Sequence, residues 1–181
     1  MPRIPMLEPD QMDAEQRRVY EDTKARTGRV SGGPSLAYIH SPKLWELSNA
    51  VGGYLEHGAL TPKQLRIAAI VTCRHWNASF PWAAQARMAM DAGVDKAVVE
   101  AINAGQRPKF ADPAEDAVYV VASEMLKTGN LSDAVFEAAK KTLGLKTLVE
   151  TVAVVGNFCK TAMMANLGGA VGAADAPSTL K

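Results

Sequence analysis

Hydrophobic residues recur every three or four positions along most of the chain, which is the spacing of one face of an α-helix. No segment keeps the strict alternation of apolar and polar residues that is typical of a half-buried strand. Start and stop signals divide the pattern into roughly seven to nine helices with short connections. We therefore predict an all-α protein, with a short apolar piece over 35–40 and helices over 13–27, 42–55, 61–77, 79–93, 95–105, 112–128, 132–144 and 146–167.

Several helix starts carry capping residues. Residues 61–64 (Thr-Pro-Lys-Gln) combine an N-cap threonine, a proline at the first helical position and a glutamine that completes a capping box. Residues 112–115 (Asp-Pro-Ala-Glu) have the same form. Residues 41–42 (Ser-Pro) predict another start, and we expect the glycine pair at 52–53 to weaken or bend the helix that follows. This helix carries an apolar stripe on one side: Leu44, Leu47, Val51 and Leu55.

The two most apolar helices indicate how the chain is buried. The helices over 61–77 and 146–167 are apolar nearly all round, and such helices are buried on several sides. In a domain this small, that burial indicates surfaces covered by other subunits, so we expect a homo-oligomer. The glycines at 168–169 end the last helix, and we expect the tail over 169–181 to be loosely ordered.

Length and charge exclude several classes of protein. The 181 residues suit one domain, which buries roughly 70% of the surface of its unfolded chain. Lys plus Arg number 20 and Asp plus Glu 19, so the chain lacks the positive field that binds nucleic acid. The start of the chain has no secretory apolar region, and no uninterrupted run of about 20 apolar residues predicts a membrane span. We expect a cytoplasmic protein that binds neither nucleic acid nor a membrane.

Few residues suit metal, cofactor or thiol chemistry. The histidines at 40, 57 and 75 show no helical pairing and no nearby cysteine pair, so we predict no metal site and no cofactor. Cys73 and Cys159 form no CxxC motif, and each lies in an apolar helical pattern. Buried cysteine is usually a small hydrophobic residue. Packed helices can nevertheless bring the two thiols together.

Three segments, 60–70, 75–94 and 148–167, resemble the carboxymuconolactone decarboxylase family, whose relatives include alkyl hydroperoxidase D-type proteins. Their order and spacing agree with the family over about residues 15–168 of a single domain, 1–181. The resemblance implies an all-helical unit built on a helical hairpin. It also implies trimers or hexamers with pockets near the subunit interfaces, and lyase chemistry in the degradation of aromatic compounds.

The residues that perform chemistry in the family are replaced here. Thiol-active members have a glutamate, a CxxC motif and a histidine, and these positions fall on other residues in this chain: Arg66, Ala78, Pro81 and Gln85. Decarboxylase-like members show an aromatic-Glu-Trp-x-x-His pattern. Here Phe80 and Trp82 remain, but the acid and the histidine do not. The resemblance therefore implies an apolar pocket wall without its usual proton-transfer groups.

Arg66 and His75 are the predicted catalytic residues. The guanidinium of Arg66 can hold a substrate carboxylate with two hydrogen bonds; the alternative is a surface position or an ion pair with an acid such as Glu56. His75 can protonate the carbanion or enolate left after loss of carbon dioxide. It lies nine residues after Arg66, about two and a half turns, on the opposite face of an ideal helix. It therefore serves either a pocket across a subunit interface or a structural hydrogen bond.

The predicted substrate-binding residues are mixed in character. Gln85 can orient a substrate carbonyl or satisfy a buried polar position. His40 lies at a helix junction that can border the pocket, and Asn157 faces either the cavity or a neighbouring helix. The full predicted set is Phe80, Trp82, Gln85, His40 and Asn157.

Three functions follow as hypotheses. The first is a decarboxylase-like enzyme that acts on a small carboxylated lactone or ring acid. The second is a thiol-dependent hydroperoxide reductase, against which the absent CxxC motif argues. The third is an oligomeric binding protein that kept the fold and lost the chemistry.

Overall fold

A computed structural model describes residues 2–28, 30 and 32–181. Over these residues the chain forms eight α-helices, one short 3-10 helix (Pro9–Gln11) and no strand, so the prediction of an all-α fold is confirmed. The predicted loop over 28–34 includes residues 29 and 31, which lie outside the described residues. The α-helices are α1 (Ala14–Thr27), α2 (Ser35–Tyr38), α3 (Pro42–Glu56), α4 (Pro62–His75), α5 (Ser79–Asp91), α6 (Lys96–Asn103), α7 (Pro113–Thr128) and α8 (Asp133–Gly168).

Of the two capping boxes that the sequence predicts, one forms at the start of α4 and the other does not form at the start of α7. The Thr61 hydroxyl accepts a hydrogen bond from the Gln64 backbone N–H at 3.3 Å, and the Gln64 side chain accepts one from the Thr61 N–H at 2.9 Å. This closed capping box fixes the start of α4. Asp112 caps α7, but Glu115 does not complete a box, because its carboxylate pairs with Lys63 at 3.6 Å.

Glycines have two different effects in the long helices. Gly144 interrupts α8 with a φ of +76° and a ψ of 159°, a conformation that glycine adopts without steric penalty. The predicted helix boundary at this residue is therefore a break inside α8. The glycine pair at 52–53 does not interrupt α3, which continues from Pro42 to Glu56.

Helix α4 is the centre of the fold. Its residues 64–73 are all buried, and the helix packs against α5, α7 and α8. The prediction that this helix is buried on several sides is confirmed. By length and composition α8 resembles a membrane-crossing helix, but here it packs against α7, α4, α2 and α3.

Over the described residues the core contains three hydrophobic clusters, and two of them border the site. The larger cluster surrounds α4 and includes residues of α5, α6, α7 and α8. A smaller cluster contains Met12, Val19, Tyr38, Ile39 and Trp45, and a third joins α7 to α8. Helix α3 contributes to the first two clusters, with Leu55 in the larger and Trp45 in the smaller.

The apolar stripe of α3 points mostly outward. Leu55 is buried, but the side chains of Leu44, Leu47 and Val51 remain 39%, 54% and 48% exposed. The opposite side of the helix faces α1 and α8. An outward apolar face agrees with the expected subunit contact, which stays a prediction.

The tail over 169–181 contains no helix, and its end is attached to α6. Asn103 is fully buried, and its side chain donates a hydrogen bond to the Thr179 carbonyl at 2.8 Å and accepts one from the Lys181 N–H at 3.1 Å. The amide therefore fixes this part of the tail against the end of α6.

The carboxylate of Glu150 connects α8 to the α3–α4 connection. It accepts hydrogen bonds from the Ala59 backbone N–H and from the Tyr54 hydroxyl, the latter at 2.9 Å. These bonds, led by the one from Ala59, lower the pKa of Glu150 below its ordinary value. Because the folded pKa lies below the unfolded one, this stabilisation is present above the unfolded pKa and is lost as the pH falls through the folded pKa.

We expect Glu150→Gln to lower the melting temperature at pH 7 and to lower it progressively less as the pH falls toward 3, because protonation of the wild-type carboxyl then removes the same stabilisation. Thermal unfolding of both proteins between pH 3 and pH 7 checks this. Glu21→Gln, at an exposed position of α1, is the matched control and should leave the melting temperature unchanged at both pH 7 and pH 3. A difference between wild type and Glu150→Gln that stays constant with pH would contradict the assignment.

Candidate functional site

A cavity of about 340 Å³ lies between α1, α3 and α8 and is bordered by the residues before α2 and the start of α5. Its size suits a small organic ligand. Four aromatic side chains line it: Tyr38, Trp45, Phe80 and Phe158. Its polar lining includes Ser48, Asn49, Glu56 and Asn157. An aromatic wall with several polar groups is typical of a small-molecule site.

Phe80 borders the cavity because a glycine leaves room for its ring. Gly33 has a φ of +64°, and a Cβ atom at this position would overlap the Phe80 ring. A larger residue would therefore be strained both by its backbone and by this contact. Phe80, a predicted substrate-binding residue, therefore lies on the wall of this cavity.

An ion pair connects α3 to α4 at one end of the cavity. Arg66 donates to both carboxylate oxygens of Glu56, from Nη1 at 2.9 Å and from Nη2 at 2.5 Å. Nη1 also donates to the Gln85 side-chain oxygen at 3.0 Å. The Arg66 side chain is 9% exposed and the Glu56 side chain 43%. The fork-shaped guanidinium therefore fixes the orientation of a carboxylate that solvent can still reach.

This ion pair decides between the two alternatives for Arg66. The guanidinium is occupied by Glu56 and Gln85, so it is not free to hold a substrate carboxylate. Glu56 lines the cavity, whereas Arg66 and Gln85 lie behind it. The acid at the edge of the cavity is thus contributed by α3, and Arg66 and Gln85 lie behind it.

The Cys73 thiol lies in the core and does not line the cavity. Its residue is fully buried, and burial raises the pKa of the thiol far above its ordinary value, with a smaller contribution from nearby Cys159. Both cysteines are free thiols, and both pack in the larger hydrophobic cluster. A buried, protonated thiol is a poor nucleophile for peroxide.

No family model and no curated protein matches the chain. Solved structures, by contrast, are similar to this chain. The alkylhydroperoxidase AhpD core of a peroxidase-related protein from Ralstonia eutropha JMP134 is 17% identical, with 96% of this chain and 93% of that chain covered and a TM-score of 0.79. The debrominase Bmp8, solved as a variant in complex with 2,3,4-tribromopyrrole, is 16% identical, with 94% and 91% covered and a TM-score of 0.72.

The protein has the AhpD-like fold. The resemblance in the sequence is confirmed for the fold, and at these identities the likeness extends to the fold alone.

Within the AhpD-like fold, Trp82 does not lie where the sequence predicts it. Its side chain is fully buried in the larger hydrophobic cluster and does not line the cavity. Phe80 and Trp82 are two residues apart on α5, and residues with this spacing point about 200° apart around a helix. One of them therefore faces the cavity and the other the core.

The histidines predicted for the site also lie elsewhere. His75 is exposed at the end of α4, where its ring contacts Trp76 edge-on at 5.5 Å between centroids. It lines a separate groove of about 180 Å³ next to α7. His40 is exposed before α3 and does not line the cavity. The structure therefore does not bring His75 and Arg66 together within one chain, and a role across a subunit interface stays a prediction.

Asn157 lines the cavity, which is one of the two positions that the sequence left open for it. Gln85 is the hydrogen-bond partner of Arg66 and does not line the cavity, in agreement with its structural alternative. Among the residues that the structure describes, no three acidic, histidine or cysteine side chains form a group that can hold a metal.

Sequence reasoning missed most of the cavity, because it took the site from the family motif on α4 and α5 and noted only the apolar side of α3. The cavity is lined by the opposite side of this helix, with residues spaced three, four and seven apart: Trp45, Ser48, Asn49, Gly52 and Glu56. This helical spacing of polar and small residues was the available signal. The glycines at 52–53 leave space for the cavity.

Proposed function

We propose that the protein binds a small ring acid or carboxylated lactone in the cavity and acts on it as a decarboxylase-like lyase, by proton transfer at Glu56. The observation that carries this proposal is the ion pair, in which Arg66 fixes both oxygens of Glu56 at the edge of an aromatic-lined cavity. The buried Cys73 argues against the alternative of a thiol-dependent hydroperoxide reductase.

The walls of the cavity favour a ring as ligand. Aromatic side chains gain contact area from a flat apolar molecule, and the amides of Asn49 and Asn157 can orient its oxygen atoms. Among the described residues, Arg26 is the cation that lines the cavity, and it supplies the charge for a ligand carboxylate. The complex of structurally similar Bmp8 with 2,3,4-tribromopyrrole, a small ring compound, supports a ligand of this shape.

The chemistry requires one proton. Loss of carbon dioxide from a ring acid breaks a carbon–carbon bond and leaves the electron pair on the ring as a carbanion or enolate. That carbon then takes up one proton from a water molecule that the Glu56 carboxylate holds by a hydrogen bond, and a proton from solvent neutralises the hydroxide that remains. Solvent reaches this position because the Glu56 side chain is 43% exposed. Arg66 acts as a positioning residue, since it holds the carboxylate without lining the cavity, and Gln85 in turn accepts a hydrogen bond from Arg66.

The test follows carbon dioxide release from a panel of small lactone and ring carboxylic acids. We expect turnover of at least one acid, a loss of about 100-fold in kcat/KM for Glu56→Gln, and normal turnover for Cys73→Ala. Glu137→Gln, at an exposed position, is the matched control. Full activity of Glu56→Gln would contradict the role of Glu56. Peroxide turnover that Cys73→Ala abolishes would favour the reductase.

A binding protein without catalysis is the second candidate. It is favoured by the cavity itself, because neither a cysteine nor a histidine lies among its described lining residues. Tight binding of a ring acid without turnover, in wild type and Glu56→Gln alike, would select this function.

We also propose that copies of this chain associate through the outward face of α3, defined by Leu44, Leu47 and Val51. Exposed apolar side chains spaced three and four residues apart form a continuous strip that a second copy can cover. Sedimentation velocity is expected to give an oligomer for wild type and a smaller species for Leu47→Lys combined with Val51→Lys. A monomeric wild type would contradict this arrangement.

A further inference from the structure

A groove of about 380 Å³ lies on the surface between α7 and the first part of α8. Most of its lining consists of alanine and valine side chains: Ala117, Val120, Ala134, Val135, Ala138 and Ala139. Ala134 and Ala138 are exposed, so the groove is open to a partner from solvent. A contiguous apolar groove that stays open on the surface indicates a place where another apolar surface binds.

The α3 helix of the same copy does not fill this groove. Its Tyr54 hydroxyl donates to Glu150 at 2.9 Å, and the cavity that α3 shares with α8 is lined by α8 residues between 154 and 161. Both contacts lie on the part of α8 after the break at Gly144, whereas the groove is lined by α8 residues 134–142, before the break. The outward face of α3 and the groove are therefore separate surfaces, and both are available to a second copy.

The two surfaces match in length and in side-chain size. The outward face of α3 places Leu44, Leu47 and Val51 over seven residues, about 10.5 Å along the helix axis. The α7 wall of the groove extends from residue 113 to residue 120, which is also seven residues. Helices pack by placing the ridge of side chains on one helix into a groove on its neighbour. A row of large aliphatic side chains therefore suits a groove that is lined by small ones.

Charge at one end of each surface fixes the orientation of the contact. Lys43, at the start of the outward face, has a side chain that is 69% exposed, and its ammonium donates one hydrogen bond to Glu46 at 2.6 Å. Among the described residues that line the groove, Asp116 alone is charged. Its Oδ1 accepts a hydrogen bond from Arg107, which leaves Oδ2 to accept another. Lys43 of one copy can therefore pair with Asp116 of a second copy when the start of α3 lies at the start of α7.

We infer that the groove between α7 and α8 receives the outward face of α3 from a second copy of this chain. This inference rests on the association through α3 proposed above and adds the surface that α3 contacts. Because the two contacting surfaces differ, the interface is heterologous. A first contact leaves one groove and one α3 face free, so association ends only when the assembly closes on itself.

The test uses two variants of the full chain, each with one of the two surfaces disrupted. The face variant carries Leu47→Lys with Val51→Lys, and the groove variant carries Ala134→Lys with Ala138→Lys, all at exposed helical positions that tolerate lysine. Sedimentation velocity should give an oligomer for wild type and a monomer for each variant alone. Ala25→Lys, at an exposed position of α1 outside the groove, is the control and should keep the wild-type size.

Mixing the two variants in equal amounts distinguishes a heterologous contact from a symmetric one. The face variant still carries an intact groove, and the groove variant still carries an intact α3 face, so one contact can form between them. Native mass spectrometry should then show a species that contains one copy of each variant and no larger assembly. Absence of this mixed species would overturn the inference.

The groove variant alone separates this inference from the association on which it rests. If it keeps the wild-type size, the groove is not part of the interface, and association through α3 stands with two α3 faces paired. A monomeric wild type would overturn the association through α3 itself. Circular dichroism shows whether each variant melts cooperatively, and the single substitutions Leu47→Lys and Ala138→Lys replace a double variant that does not.

Discussion

Replacing Trp82 by alanine is expected to lower the free energy of unfolding by about 3–5 kcal/mol, the range for truncating a large aromatic side chain in a packed core. Trp82 is fully buried, in the cluster that surrounds α4. The cavity left by the truncation has rigid helices on several sides, so the surrounding structure can relax only partly. Urea unfolding of both proteins measures the difference.

Trp82→Phe is the informative companion variant. The indole Nε1 is buried without a hydrogen-bond partner among the described residues, so its removal relieves a polar group that the fold leaves unsatisfied. We expect Trp82→Phe to lower the stability by less than about 1.5 kcal/mol, although it also removes volume. Trp76→Ala, at a side chain that is 37% exposed, is the control and should have a small effect. Equal losses for Trp82→Phe and Trp82→Ala would show that the indole nitrogen contributes a favourable contact.

The second large effect is expected for Arg66→Met, which removes the guanidinium and leaves Glu56 and Gln85 without their shared partner. Breaking a fully buried ion pair costs about 3–5 kcal/mol, and because Glu56 is 43% exposed we expect a loss of about 1–3 kcal/mol here. Adding Glu56→Gln should recover part of the loss, since no unpaired charge then remains. A double-mutant cycle in urea measures this coupling.

The pair of Lys140 and Glu137, whose side chains are 47% and 66% exposed, is the matched surface control. Lys140→Met should change the stability by less than about 1 kcal/mol. The ion pair does not hold α3 against α4 if Arg66→Met lowers the stability no more than Lys140→Met does. The same conclusion follows if the stability losses of the substitutions at Arg66 and Glu56 simply add.

Local signals predicted most helix boundaries because capping and stopping act within a few residues. The capping box at Thr61 and Gln64 and the break at Gly144 depend only on neighbouring backbone, and both occur as predicted. The outward apolar face of α3 shows the limit of such signals. An apolar stripe predicts that a face is covered, but it does not tell whether the covering surface belongs to the same chain.

The candidate site was predictable only in part. The ion pair of Arg66 with Glu56 was one of two alternatives, since opposite charges in a half-buried setting favour pairing. The cavity could not be predicted, because it depends on how α1, α3 and α8 pack across long stretches of sequence. The family pattern also directed attention to α4 and α5, whereas Tyr38 and Ser48 lie on other helices.

The cavity touches two of the hydrophobic clusters: Tyr38 and Trp45 belong to the smaller one, and Leu65 and Phe158 to the larger. Whatever fills it therefore adds contacts to side chains of both. At a concentration 100 times its dissociation constant, such an occupant adds about 2.7 kcal/mol to the stability of the folded protein. A compound library screened by melting temperature alone would thus rank natural ligands before any reaction has been assayed.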